Sequence, residues 1–185
     1  MEQSRCQAYT AILEHELMHA MGCTEPIAVA YASAKAREVL GKMPEKIIVQ
    51  CSGNIIKNIM GVVVPSTGNM RGIPISAIIG AVGGDPSRKL ECLTTVTDEH
   101  RAIARKLESE GMCEVELLEG VPNLAIILTA IAGDDKAVVE IRNAHTNIVR
   151  IEMNGNILYA AAPGAVADEV DTSILNLGGI YDYCS

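Results

Sequence analysis

Residues 24–34 read Thr-Glu-Pro-Ile-Ala-Val-Ala-Tyr-Ala-Ser-Ala, a run that is small or apolar after its first two residues. Thr24 suits the N-cap of a helix, and Glu25 and Pro26 suit its first turn. Because small or apolar side chains continue on all sides of such a helix, the run predicts one that is deeply buried.

On either side of this helix, the spacing of apolar residues predicts more helices and one strand. The expected helices cover residues 4–20, 73–82 and 98–110, with a short one that is capped at residues 52–54 and ends at Met60. The expected strand covers residues 46–51.

Beyond residue 110 the pattern changes to that of strands, which are expected over residues 114–118, 124–131, 137–142, 148–153 and 157–161. Residues 133–135 and Asn154-Gly155 predict two hairpin turns. Helices followed by consecutive strands indicate an α+β fold, with an antiparallel sheet formed mainly by the C-terminal half. A last helix is expected from Asp168 onward.

The composition indicates one globular domain over residues 1–185. Of the 185 residues, 49% are hydrophobic and 21% are charged, and the net charge is −8. An acidic chain has no basic surface for nucleic acid or anionic lipid. With five Tyr and neither Phe nor Trp, it also has few rings on which bases could stack. We therefore expect neither a nucleic-acid nor a membrane partner.

Two further observations bear on the compartment. The first residues lack a signal-peptide pattern, and no apolar run approaches the length of a membrane span. The six cysteines lie far apart, without the paired spacing of a zinc ribbon or a disulfide framework. A cytoplasmic protein with mostly buried thiols is expected.

One short motif suggests a zinc hydrolase. His15-Glu16-Leu17-Met18-His19 is an HExxH sequence, in which two histidines one helical turn apart bind zinc and the glutamate acts as base. Glu25 would be the third ligand. Only fourteen residues precede His15, too few to build the substrate cleft that normally lies before such a helix.

A second set of motifs resembles the L-cysteine desulfidase family, which is related to the iron–sulfur L-serine dehydratase alpha chain. Six runs match in order along nearly the whole chain. They are GCTEP (residues 22–26), SGNIIKN (52–58), GVVVPSTG (61–68), GIPI (72–75), GAVGG (80–84) and HTNIV (145–149).

The resemblance implies a lyase that eliminates sulfide or water from L-cysteine or L-serine and gives pyruvate and ammonia. It also implies a 4Fe-4S cluster held by three cysteines, of which only Cys23 matches a family position here. The other ligands belong to a C-terminal half, so the chain resembles the N-terminal half of a longer enzyme. Its expected partners are that half or a second subunit, and a homo-oligomer is a further expectation.

The matched runs also nominate catalytic and substrate-binding residues. His145 is the best candidate for a general acid or base, Glu25 is an alternative base, and Lys57 is the third catalytic candidate. The substrate-binding candidates are Asn54, Asn58, Ser66, Thr67, Gly68, Thr146 and Asn147. Asn54 has the structural alternative of capping a helix, and residues 66–68 have that of forming a turn.

Three functions stay open on the sequence alone: the lyase, the zinc hydrolase, and a non-catalytic domain that binds a small amino acid or a partner. The sequence does not distinguish cysteine from serine as the substrate, because fold analogy does not transfer substrate.

Overall fold

A computed structural model describes residues 2–162 and 171–185 of the chain, without the side chains of His15 and Glu16. The chain forms two compact units, Ala20–Gly164 and a smaller one made of Met1–His19 with Ala165–Ser185. The start of the last predicted helix, at Asp168, lies outside the described residues.

The helices and strands follow one another in an α+β order. They are α1 (Gln3–Glu16), α2 (Thr24–Leu40), β1 (Lys46–Ser52), α3 (Gly53–Ile59), α4 (Ile73–Gly83), a 3-10 helix (Pro86–Thr95), α5 (Asp98–Ser109), β2 (Cys113–Leu118), β3 (Ala125–Ala132), β4 (Asp135–Arg142), β5 (Ile148–Met153), β6 (Asn156–Ala160) and α6 (Leu177–Cys184).

The six strands form one sheet in the order β2-β1-β3-β4-β5-β6. Every neighbouring pair is antiparallel except β1 and β2, which run parallel. A parallel pair needs a long crossover connection, and here α3, α4 and α5 lie between the two strands. The predicted α+β fold, with most strands in the C-terminal half, is confirmed.

The core lies between the sheet and two helices. Helix α2 contacts β3 and β4, and α4 contacts β1 and β2. Val49, Leu128 and Val139 are paired across β1, β3 and β4 and are fully buried. Strand residues of one parity share a face of the sheet, so this row forms part of the buried layer.

Helices α2 and α4 come into direct backbone contact at Gly80 and Ala30. A Cβ atom placed on Gly80 would overlap the carbonyl of Ala30 and lie 2.7 Å from its Cα. One placed on Gly84 would lie 3.0 Å from the Cβ of Ala34. The small residues predicted to bury α2 therefore allow its backbone to touch that of α4.

The observed helix boundaries differ from the predicted ones mainly at the end of α1 and the start of α2, and by one residue at several other places. Helix α1 ends at Glu16, whereas the apolar spacing predicts a helix to residue 20, and Leu17 already has extended backbone angles. Cys23, not Thr24, is the N-cap of α2, so Thr24 is its first helical residue. The 3-10 helix over Pro86–Thr95 was not predicted.

The Asn154-Gly155 turn is confirmed. Asn154 has φ 50° and Gly155 has φ 82°, the pair of positive angles of a type I′ hairpin. The turn joins β5 to β6, and residues 133–134 join β3 to β4.

Two tyrosines join the helices of the smaller unit. The rings of Tyr9 in α1 and Tyr183 in α6 are stacked with centroids 5.5 Å apart. The Tyr9 hydroxyl donates to the carbonyl of Ile174 at 3.2 Å.

Among the residues that the structure describes, no helix combines the length and apolar character needed to cross a bilayer.

Gly80→Ala tests the contact between α2 and α4. The added methyl group would displace the carbonyl of Ala30, so the free energy of unfolding should fall by about 1–3 kcal/mol. Gly61→Ala is the matched control, because a Cβ there has nothing within 4 Å, and it should change stability by less than about 0.5 kcal/mol. Urea unfolding of both variants measures the difference, and equal midpoints would contradict the packing described.

Candidate functional site

The loop that begins α2 brings a thiol to a carboxylate. Cys23 has extended backbone angles as the N-cap, and Glu25 lies in the first helical turn. The Cys23 Sγ donates a hydrogen bond to Glu25 Oε2 at 3.1 Å. Acidic side chains are favoured at this end of a helix, where backbone N–H groups point outward.

Helix α3 supplies an amide to the same carboxylate. The Nδ2 of Asn58 donates to Glu25 Oε1 at 3.1 Å. Ile55 and Ile59 are buried on the inner side of α3 and hold the helix to the core. Glu25 thus accepts one hydrogen bond from its own loop and another from Asn58, which lies 33 positions further along the chain.

The loop between β4 and β5 supplies an imidazole. His145 Nε2 lies 3.2 Å from the hydroxyl of Thr24, which itself lies 3.4 Å from Glu25 Oε2. Asn147 braces this loop, because its Nδ2 donates to the carbonyl of Arg142 at 2.9 Å. We call Cys23, Thr24, Glu25, Asn58 and His145 the Cys23 group.

The run GVVVPSTG lies beside the same loop. A Cβ on Gly22 would be 3.2 Å from the Cγ of Pro65, so the ring of Pro65 lies close to the backbone of Gly22. Thr67 is fully buried, and its hydroxyl donates to the carbonyl of Val64 at 2.6 Å. Ser66 and Gly68 have positive φ angles of 61° and 74°, and Arg101 donates to the carbonyl of Ser66 at 2.8 Å. These hydrogen bonds hold the turn in shape.

The remaining predicted site residues lie outside the hydrogen-bond network. Asn54 and Lys57 are exposed on α3, and Thr146 is half-buried beside His145. Among the described residues, no hydrogen bond joins these three side chains to the Cys23 group. Asn54 and Asn58 are one helical turn apart and share one side of α3.

The surroundings shift three pKa values. Burial by itself would raise the pKa of Glu25, but hydrogen bonds from Cys23, its own backbone and Asn58, with nearby His145, hold it below its usual value. Burial, followed by the hydrogen bond to Glu25, raises the pKa of Cys23. Burial lowers the pKa of His145 despite the opposing attraction of Glu25. At neutral pH the three are therefore a thiol, a carboxylate and a neutral imidazole.

Thr24 is the member of the group that the sequence analysis did not nominate. Its position inside the GCTEP run was the available signal, but a threonine at a helix start is most simply interpreted as a cap. Its side chain makes no capping hydrogen bond here and instead faces His145 and Glu25.

The cysteines test whether these residues fit a 4Fe-4S cluster. Cys51 and Cys92 are fully buried, and the sulfur of Cys92 lies 4.0 Å from the carbonyl of Ile27. Among the described residues, no group of three His, Cys, Asp or Glu side chains could hold a metal ion. The described part of the chain thus provides one thiol at this place and does not fit a whole cluster.

The HExxH residues do not lie on one helix. Because α1 ends at Glu16, His19 lies beyond it and not one helical turn from His15. The side chains of His15 and Glu16 are outside the described residues.

Two surface depressions near the helices are mainly apolar. One of about 210 Å³ is lined by residues of α3, α4 and β2, including Met60 and Val115. Another of about 460 Å³ is lined by residues that include Met43 and His100. Neither is lined by the Cys23 group, whose polar atoms converge elsewhere in the larger unit.

The fold and the site together define an α+β protein in which a thiol, a carboxylate, an amide and an imidazole meet at the start of a buried helix. No family model matches the chain. No solved structure matches it either.

The chain is similar to several bacterial proteins that are each named UPF0597 protein. It is 46% identical over 175 residues to that of Lachnoclostridium phytofermentans, which covers 94% of this chain and 42% of the relative. It is 50% identical over 154 residues to that of Finegoldia magna, covering 82% of this chain and 36% of the relative. It is 38% identical over 189 residues to that of Treponema denticola, covering 99% of this chain and 43% of the relative.

The chain therefore spans less than half the length of these relatives. Their name states no activity or substrate, so the resemblance to L-cysteine desulfidases stays a prediction.

Alkylation of the native chain tests the placement of the thiols. Burial raises the pKa of both Cys51 and Cys92 to about 12, so only about one thiol in ten thousand is ionised at pH 8. Iodoacetamide should modify the exposed Cys6 and Cys184 and leave Cys51 and Cys92 unmodified, as peptide mass spectrometry would show. In urea, iodoacetamide should alkylate all four of these cysteines. Rapid native modification of Cys51 or Cys92 would contradict their burial.

Proposed function

We propose that this chain forms part of the active site of a cytoplasmic lyase of the L-cysteine desulfidase type, which eliminates sulfide or water from L-cysteine or L-serine. The supporting observation is the Cys23 group. It joins residues of three motifs, GCTEP, SGNIIKN and HTNIV, that are widely separated in the sequence. These are the runs on which the resemblance to the desulfidases is based.

Elimination at the β-carbon of an amino acid requires a base that removes the α-proton. Glu25 already accepts hydrogen bonds from Cys23, Asn58 and Thr24. His145 is hydrogen-bonded through Nε2, and within the described residues no hydrogen bond involves its Nδ1. The arrangement supports His145 as the base and Glu25 as the group that positions its neighbours.

Removal of the α-proton and loss of sulfide or water from the β-carbon leave aminoacrylate. This enamine tautomerises to an imine, and water hydrolyses the imine to pyruvate and ammonia. Asn54 and Lys57, exposed beside Asn58 on α3, are proposed to bind the substrate carboxylate, with the turn at residues 66–68 and Thr146 as further contacts.

A 4Fe-4S cluster, when bound, would supply the Lewis acid that holds the leaving group. Cys23 is the thiol of this chain proposed as a ligand. Because the described residues do not supply the others, we propose that they come from a further part of the protein. The greater length of the relatives supports this division.

Complementation tests the proposal. The part of the Lachnoclostridium phytofermentans relative that this chain does not match would be produced as a separate polypeptide and mixed with this chain without oxygen, with iron and sulfide added. The mixture should release pyruvate from L-cysteine or L-serine, and the complete relative should do the same. Iron, acid-labile sulfide and zinc would be measured in each sample.

Matched variants locate the activity. Cys23→Ser should abolish turnover, and Cys6→Ser, at an exposed thiol in α1, should leave it unchanged. His145→Gln should lower kcat by about 100-fold or more if the imidazole is the base. Replacing His15 and His19 by Ala should have little effect in a desulfidase and abolish a zinc hydrolase. Failure of the complete relative to act on either amino acid would overturn the proposal.

A further inference from the structure

Thr24 lies between the two groups of the site that can carry protons. Its hydroxyl oxygen is 3.2 Å from His145 Nε2 and 3.4 Å from Glu25 Oε2. A hydroxyl has a single proton, so it can donate a hydrogen bond to only one of these neighbours. It then either accepts a hydrogen bond from the other neighbour or makes none with it. The direction of its hydrogen bond therefore decides which ring nitrogen of a neutral His145 carries the proton.

The contacts of Glu25 decide the direction. Asn58 Nδ2, which is a donor only, bonds Oε1 of Glu25 at 3.1 Å. An ionised carboxylate has no proton to donate, so Oε2 is an acceptor as well. A charged carboxylate oxygen attracts a proton donor more strongly than a neutral ring nitrogen does, so the Thr24 proton is directed to Glu25 Oε2, 3.4 Å away.

We propose that Thr24 is a positioning residue that holds His145 in the tautomer protonated at Nε2 and leaves Nδ1 as the proton acceptor. A hydroxyl that donates to Glu25 presents a lone pair to the ring, and only an Nε2–H can donate to that lone pair. The tautomer follows from the positions of these three side chains and the charge of Glu25. The role of Nδ1 as the base rests on the proposed function.

Such an arrangement suits proton abstraction. When Nδ1 takes a proton, the ring becomes an imidazolium, and its Nε2–H still donates to Thr24 without any proton moving along the chain. The imidazolium then lies one hydroxyl away from the carboxylate of Glu25, and this charge stabilises it. Thr24 therefore couples the charge of Glu25 to the ring orientation of His145.

Nitrogen NMR of the chain labelled with ¹⁵N-histidine tests the tautomer without substrate. The chain has four histidines, and the signals lost in His145→Gln identify those of His145. The unaltered chain at neutral pH should show a protonated Nε2 and an unprotonated Nδ1 for this residue. A protonated Nδ1 would overturn the proposal.

Two variants separate the hydroxyl from the shape of the side chain. Thr24→Val keeps the shape and removes the hydroxyl, so His145 should lose its single Nε2–H form and show a mixture of tautomers. Thr24→Ser keeps the hydroxyl and should retain the original form. An unchanged tautomer in Thr24→Val would also overturn the proposal.

His100 is an internal reference in every sample. Its Nδ1 accepts a hydrogen bond from the backbone N–H of Thr97 at 3.3 Å, so it must also be protonated at Nε2. Its signals should be the same in all variants, which shows that the larger unit remains folded.

Because the spectrum is recorded without turnover, its outcome is distinct from that of the lyase assay. An inactive relative would overturn the reaction, and the wrong tautomer would overturn the role of Thr24.

Discussion

The structure depends on the direct backbone contact between α2 and α4 at Ala30 and Gly80. There is no room for a side chain on Gly80, so the two helices lie closer than helices separated by ordinary side chains. Together they pack against four of its strands, with α2 over β3 and β4 and α4 over β1 and β2. Strand β4 ends at Arg142, just before the loop that carries His145. The position of α2 on the sheet thus brings its first turn to this loop.

Glu25 organises the polar groups that meet there. A half-buried carboxylate is costly unless it is hydrogen-bonded, and Cys23, Thr24 and Asn58 all donate to it. The same need for partners joins the loop before α2 to α3 and, through Thr24, to the β4–β5 loop. The arrangement that satisfies the carboxylate therefore also orients the thiol and the imidazole.

Much of the fold could be predicted from local pattern. The bounds of β5 match the predicted strand, and the Asn154-Gly155 turn has the expected backbone angles, because both depend on neighbouring residues alone. The end of α1 could not be predicted. Leu17 continues the apolar spacing of the helix but is 71% exposed, so no packing stabilises a longer helix. The 3-10 helix after α4 was not predicted either.

Sequence alone determined the α+β class, the burial of α2 and most of the residues that meet at the candidate site, since these follow from periodicity, small side chains and recognisable motifs. Tertiary structure alone decided that β1 lies between β2 and β3, that Asn58 and His145 reach the first turn of α2, and that Thr24 faces them. Those relations join residues up to 121 positions apart. Contacts at such separations depend on how helices and strands pack, which no local pattern of residues specifies.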